Sequence, residues 1–158
     1  MAEPIPYAIA SDVLSPSPCP RGPTLAVAIT TAICGTQTLG VGYITMSSRL
    51  HTQAYRHRTS DIVVTVFKGT AATIYGEQLQ HVAVHRPGDS IFIPAGVLHA
   101  AVNLSVEEVR AVESRTDPAF SDDDIESLPS LDRTVAAIAA AIQAQYEAGA
   151  LRRQPSAA

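Results

Sequence analysis

The chain has 158 residues, 46% of them hydrophobic and 16% charged, with a formal net charge of -4. That length suffices to bury roughly two thirds of the unfolded surface around one core. The acidic balance, with Lys68 the only lysine, argues against nucleic acid or an anionic membrane as partner, because both need clustered positive charge.

The opening Met1-Ala2-Glu3-Pro4 lacks the basic start and apolar run of a secretory signal. No stretch reaches the roughly 18 apolar residues of a membrane span, so a cytoplasmic protein is expected. Residues 1–23 carry Pro4, Pro6, Pro16, Pro18, Pro20 and Pro23 and read as an extended arm over the surface or over a neighbour. Cys19 and Cys34 match no metal-knuckle or redox spacing and read as structural or incidental thiols.

From residue 24 to 118 the pattern is one of strands. They are predicted over 25–32, 40–46, 61–67, 72–75, 78–84, 90–93, 98–103 and 107–114, with Gly, Pro or polar turns between most of them. Many short strands at this spacing predict an all-β sandwich or barrel. Counting in twos puts Tyr55, His57, Asp61, Val63, Thr65 and Phe67 on one inward face, unless the bend at Arg58-Thr59-Ser60 resets the parity. Arg56 and Arg58 then face away. His51 is roughly 13 Å from Tyr55 in an extended chain, too far to share a ligand without a tight turn. His81 and His85 flank a hairpin strand and are expected at the surface.

The most informative stretch runs from Gly88 to Asn103, the only asparagine. Pro87-Gly88-Asp89 makes a tight turn, 90–93 a short apolar strand, and Pro94-Ala95-Gly96 a second turn. On the strand that follows, His99, Ala101 and Asn103 point one way and Leu98, Ala100 and Val102 the other. Small Ala101 beside His99 leaves room on that face.

Residues 119–149 change to helical character. Ser121 can cap a short acidic turn over 122–127, and Ser130 a helix with Leu131, Val135, Ile138, Ile142 and Tyr146 on one face. The helix is expected to end at Gly149, with Arg152 and Arg153 beyond it in a flexible tail, 150–158. The apolar stripe is expected to pack against the barrel or a partner subunit.

The anchors Gly88, Pro94, Gly96, His99 and Asn103 resemble the second motif of the cupin superfamily, G(x)5PxG(x)2H(x)3N. Upstream, the segment 55–61 is similar to the family's first motif, with His57 on its second His, Asp61 on its Glu and Tyr55 on its first His. Gly69 closes that motif one residue late, Arg49 stands at its opening Gly, and the resemblance covers about 39–118. It implies a double-stranded β-helix, a jelly-roll barrel, here with a C-terminal α-helix. It implies metal ligands at His57, Asp61 and His99 for a divalent transition metal: iron, manganese, nickel or zinc. Two imidazoles and a carboxylate suit those ions and leave positions open for substrate.

Tyr55 is the departure, since a neutral phenol is a much poorer ligand than imidazole. It reads as a pocket wall, a proton donor or a weak ligand. Two functions follow. One is a metal-dependent enzyme on a small organic substrate, such as an isomerase, cyclase or oxygenase of secondary, polyketide-type metabolism. The other is a metal-free binding module or an acid-base catalyst using His99 or His57 with Tyr55. Cupins commonly pair barrels through their terminal segments, so the resemblance also implies a homodimer.

Overall fold

The computed structural model describes residues 5–19 and 21–152, so Pro4, Pro20 and Arg153 onward lie outside the described residues. A helical turn, Ser11–Val13, leads into β1 (Ser17–Pro18), which pairs with β2 (Thr24–Ile29). The strand expected over 25–32 stops early. Thr30 leaves it to cap a short helix, α1 (Thr31–Cys34), its Oγ1 accepting the Ile33 N–H at 3.2 Å. Then follow β3 (Gly40–Met46), β4 (Tyr55–His57), β5 (Ile62–Lys68), β6 (Ala71–Tyr75), β7 (His81–His85), β8 (Ser90–Ile93), β9 (His99–Asn103) and β10 (Val109–Arg115). After β10 come β11 (Ile125–Ser127) and α2 (Asp132–Glu147).

The strands form two antiparallel sheets, in the orders β1-β2-β3-β10-β5-β8 and β11-β4-β9-β6-β7. This is the expected jelly roll. Closing two sheets face to face buries the inward residues of both. In β10 those are Val109, Ala111, Glu113 and Arg115, all buried.

The parity predicted for β5 is off by one residue. Ile62 and Val66 are buried, whereas Val63 and Phe67 are exposed. The cause is the bend before the strand. Arg58 N donates to the Asp124 carbonyl at 2.8 Å, and Thr59 N and Ser60 N donate to the Asp124 carboxylate at 2.8 and 3.2 Å. Held by those bonds, the chain enters β5 one residue out of step, and a one-residue slip moves every side chain to the other face.

Two apolar cores result. One fills the barrel, with Met46, Val66, Ala71, Val109 and Ala111. The other lies between the five-stranded sheet and α2, where Val135, Ala139 and Ile142 meet Ile74, Leu98, Ala100 and Val102. Fully burying one large aliphatic side chain contributes about 1.5–3 kcal/mol. The predicted helix stripe is thus used within the chain and is no free surface for a second copy. Ser130 does not cap α2 but sits in the helical turn Pro129–Leu131 that precedes it. The outer face of the six-stranded sheet leaves Val63, Phe67 and Phe92 exposed. Among the described residues no helix is long and apolar enough to cross a membrane.

The 88–103 stretch folds as its local chemistry dictates. Gly96 adopts φ +83°, a conformation costly for residues with a Cβ, and donates its N–H to the His57 carbonyl at 2.7 Å. Asn103 is fully buried as a structural knot. Its Nδ2 donates to the carbonyls of Met46, Ser47 and Glu107, and its Oδ1 accepts from Ser105 N and Oγ.

Candidate functional site

Inside the barrel, a cavity of about 60 Å³ lies between the sheets. Most of its wall is aliphatic, and its polar groups are Thr52, Tyr55, Thr73, His85, His99 and Glu113. Pairing of β4 with β9 sets Tyr55 directly opposite His99, with ring centroids 4.4 Å apart. His57 follows on the same strand face, its ring nearly parallel to that of His99 at 6.2 Å.

His99 Nδ1 lies 2.9 Å from the Val97 carbonyl oxygen. A carbonyl only accepts, so Nδ1 carries the hydrogen and Nε2 carries the lone pair. That Nε2 is buried and has no hydrogen-bond partner among the described residues. Burial pushes the imidazole pKa down to about 4, against the smaller upward effect of the Val97 bond, so His99 is neutral at pH 7. Burial and the nearby Glu113 carboxylate raise the Tyr55 phenol far above its ordinary range, which keeps it protonated. The pair is therefore a free base beside a retained proton donor.

His57 is buried and also neutral, held down by burial and by the Arg115 charge. Its Nε2 is 3.7 Å from Glu113 Oε1 and its Nδ1 is 3.5 Å from Asp124 Oδ2. Burial raises the Asp124 carboxyl, but hydrogen bonds from Ser60 and Thr59 outweigh it and hold the pKa at about 2.

The donor set does not assemble as the resemblance implied. Asp61 Oδ1 accepts the Ala95 N–H at 2.9 Å, which ties this carboxylate to the motif turn and away from the cavity lining. The out-of-step entry into β5 is why Ile62, and not Asp61, faces the cavity. Among the described residues no three His, Cys, Asp or Glu side chains converge in a way that could hold a metal ion. Glu113, the carboxylate that does reach His57, accepts from Arg115 Nε at 3.2 Å. Arg21 Cζ stands 5.0 Å over the Tyr55 ring, so two guanidiniums oppose a divalent cation here. The residues present do not fit the metal site expected of His57, Asp61 and His99.

His85 differs from expectation too. It is buried, its Nε2 2.9 Å from Thr73 Oγ1 in the cavity wall, whereas His81 is exposed. Arg56 pairs with Glu126 at 2.8 Å, away from the site. Sequence reasoning missed Arg21, Glu113, Arg115 and Asp124. For Glu113 and Arg115 a signal existed: they continue the inward parity of Val109 and Ala111 on one strand. Arg21 and Asp124 carry no local signal, because only the fold brings them in.

A cupin domain model matches residues 43–114. No curated sequence matches the chain. Among solved structures, a Klebsiella pneumoniae conserved protein with a double-stranded β-helix domain is 18% identical, covering 70% of this chain and 88% of that one, with a TM-score of 0.56. The Lactobacillus farciminis oxalate decarboxylase formate complex is 18% identical at TM-score 0.66, covering 80% of this chain but only 37% of that one. A variant of Streptomyces PAC13 with uridine is 14% identical at TM-score 0.60, covering 78% of this chain and 91% of that one. At such identities the likeness concerns the fold alone. Together with the Gly88-to-Asn103 motif and the two-sheet barrel, the match over 43–114 identifies a cupin domain in this chain.

Proposed function

We propose that this cupin is a metal-independent acid-base catalyst for a small, mostly apolar molecule bearing a carbonyl group. One observation carries the reading: Nδ1 of His99 is spent on the Val97 carbonyl, which leaves a buried, unpaired Nε2 beside the protonated Tyr55. In the proposed reaction His99 Nε2 removes a proton from the carbon next to the carbonyl. The C–H electron pair becomes a C=C bond, and the carbonyl π pair moves to oxygen, where Tyr55 donates a hydrogen bond. Where the substrate carries a β,γ C=C, that π pair takes the proton at the γ-carbon as the double bond shifts into conjugation and the oxygen pair re-forms the carbonyl, which completes an isomerisation with no net redox change.

A base of low pKa is a weak proton acceptor on its own. Here the new imidazolium forms beside Glu113, whose charge favours it, and next to the enolate it has just created. In a low-dielectric cavity such paired charge development is strongly stabilising. The oxygenase alternative draws no support from the donor set, since Asp61 is held by the Ala95 N–H and does not line the cavity.

The experiment is solvent exchange. In D2O the protein is expected to accelerate deuterium incorporation next to the carbonyl of short ketones such as 2-butanone or 2-oxobutyrate, followed by NMR. His99→Gln should abolish the acceleration. Exchange at the same rate in the folded His99→Gln protein contradicts the reading.

A further inference from the structure

Among the described residues three charged side chains are buried: Arg21 at 8% exposure, Glu113 at 4% and Arg115 at 2%. Glu113 and Arg115 neutralise one another through the 3.2 Å contact on β10. Arg21 is then the unbalanced charge. Its carboxylate partner, Asp122, lies 3.4 Å away and is 57% exposed, so it makes a long, solvent-screened pair with a guanidinium that is itself withdrawn from water.

Arg21 is no loose part of an arm. Gly22, with φ +118°, donates its N–H to the Cys19 carbonyl at 2.9 Å, and Cys19 N–H donates to the Pro23 carbonyl at 2.7 Å. This turn sets the guanidinium over the Tyr55 ring, 5.0 Å from its centroid. Arg21 and Arg115 both line a second small chamber of about 20 Å³ there, and Thr52, Tyr55 and Glu113 are shared between it and the apolar cavity. The two spaces thus adjoin: a small chamber lined by both guanidiniums and Glu113, and a hydrocarbon-lined cavity that holds His99, with Tyr55 in the wall of both.

We propose that the molecule this site takes is a small carboxylate, with its anionic end on Arg21 and its short carbon chain in the apolar cavity. This deepens the acid-base reading above and rests on it for the position of the reacting carbon. A buried guanidinium donates strong, charge-assisted hydrogen bonds to a carboxylate oxygen. A chamber of about 20 Å³ admits a group the size of a carboxylate oxygen or a water, and a cavity of about 60 Å³ admits only a few heavy atoms. A cationic or bulky ligand is excluded by the same features.

Butyrate and its neutral isostere butyramide test this by titration calorimetry. Butyrate should bind at least tenfold tighter than butyramide to the wild-type protein. Arg21→Gln should erase the preference, and Arg21→Lys, which keeps the charge without the guanidinium, should retain part of it. Asp122→Asn removes the exposed competitor and should tighten butyrate severalfold without touching the barrel, which keeps the test valid if Arg21→Gln is unstable. Equal binding of the two probes, or unchanged butyrate affinity in folded Arg21→Gln, overturns the proposal. Butyrate needs no proton transfer. Loss of solvent exchange in a protein that still prefers butyrate therefore refutes the acid-base reading alone, and exchange without that preference refutes the carboxylate site alone.

Discussion

Tyr55 and His99 are register partners across β4 and β9, their ring centroids 4.4 Å apart. Neighbouring strands hold directly opposed side chains within reach of each other, so the sheet itself fixes the spacing of proton donor and base. Burial then sets their protonation in opposite senses. It keeps the imidazole free of its second proton and the phenol in possession of its only one.

Tyr55→Phe removes the hydroxyl and leaves the ring that packs on His99 and under Arg21. Positioned proton donors contribute about 10²–10⁴-fold. The expected result is a loss of solvent exchange in that range with the thermal midpoint nearly unchanged. Full retention of exchange would show that Tyr55 only forms the wall.

Protein purified without chelator is expected to carry far less than one transition-metal ion per chain by plasma mass spectrometry, and added EDTA should alter neither melting nor exchange. The reason is the donor set: Asp61 is spent on the Ala95 N–H and Glu113 on Arg115. One tightly bound ion per chain, lost on His57→Ala, would restore the metal-dependent reading.

Acid should destabilise the fold well above the carboxylate range. In the unfolded chain a histidine binds its proton near pH 6.5, whereas folded His99 resists until about pH 4 and His57 is shifted the same way. Between those values the unfolded state holds more protons, so stability falls as pH falls, by up to roughly 1.4 kcal/mol per pH unit for each such histidine. Asp124 adds to this below about pH 4, since its folded pKa of about 2 lies under the unfolded value. Urea midpoints that stay flat from pH 7 to 5 would contradict the buried, neutral histidines.

Asn103→Ala should cost about 2–4 kcal/mol in urea unfolding, because it strips partners from three backbone carbonyls and from Ser105 at a fully buried position. A cost under about 0.5 kcal/mol would mean that water replaces the amide without penalty.

The legible parts of this protein were those decided by neighbours in the chain. The turn at Gly96, the inward side of His99 and Ala101, and the apolar face of α2 depend on local dihedral demands and on periodicity. Asp61 was misplaced because its strand register is set by Asp124, more than sixty residues away. A carboxylate that captures a bend from that distance leaves no periodic trace. His85 was misjudged for a related reason, as only the pairing of β6 with β7 brings Thr73 within reach of its ring. Arg21 sits in a proline-rich segment whose composition points outward, and the turn closed by Gly22 sends its side chain back over the Tyr55 ring.

His99 presents to the cavity a neutral Nε2 that has no partner among the described residues. Nitrogen-15 NMR of histidine-labelled protein, titrated from pH 8 to 4 with His99→Gln used to assign the signal, measures this directly. The expected result is a ring protonated only at Nδ1, with no second protonation until about pH 4. A His99 signal that titrates near the ordinary 6.5, or a ring carrying its proton on Nε2, would contradict it.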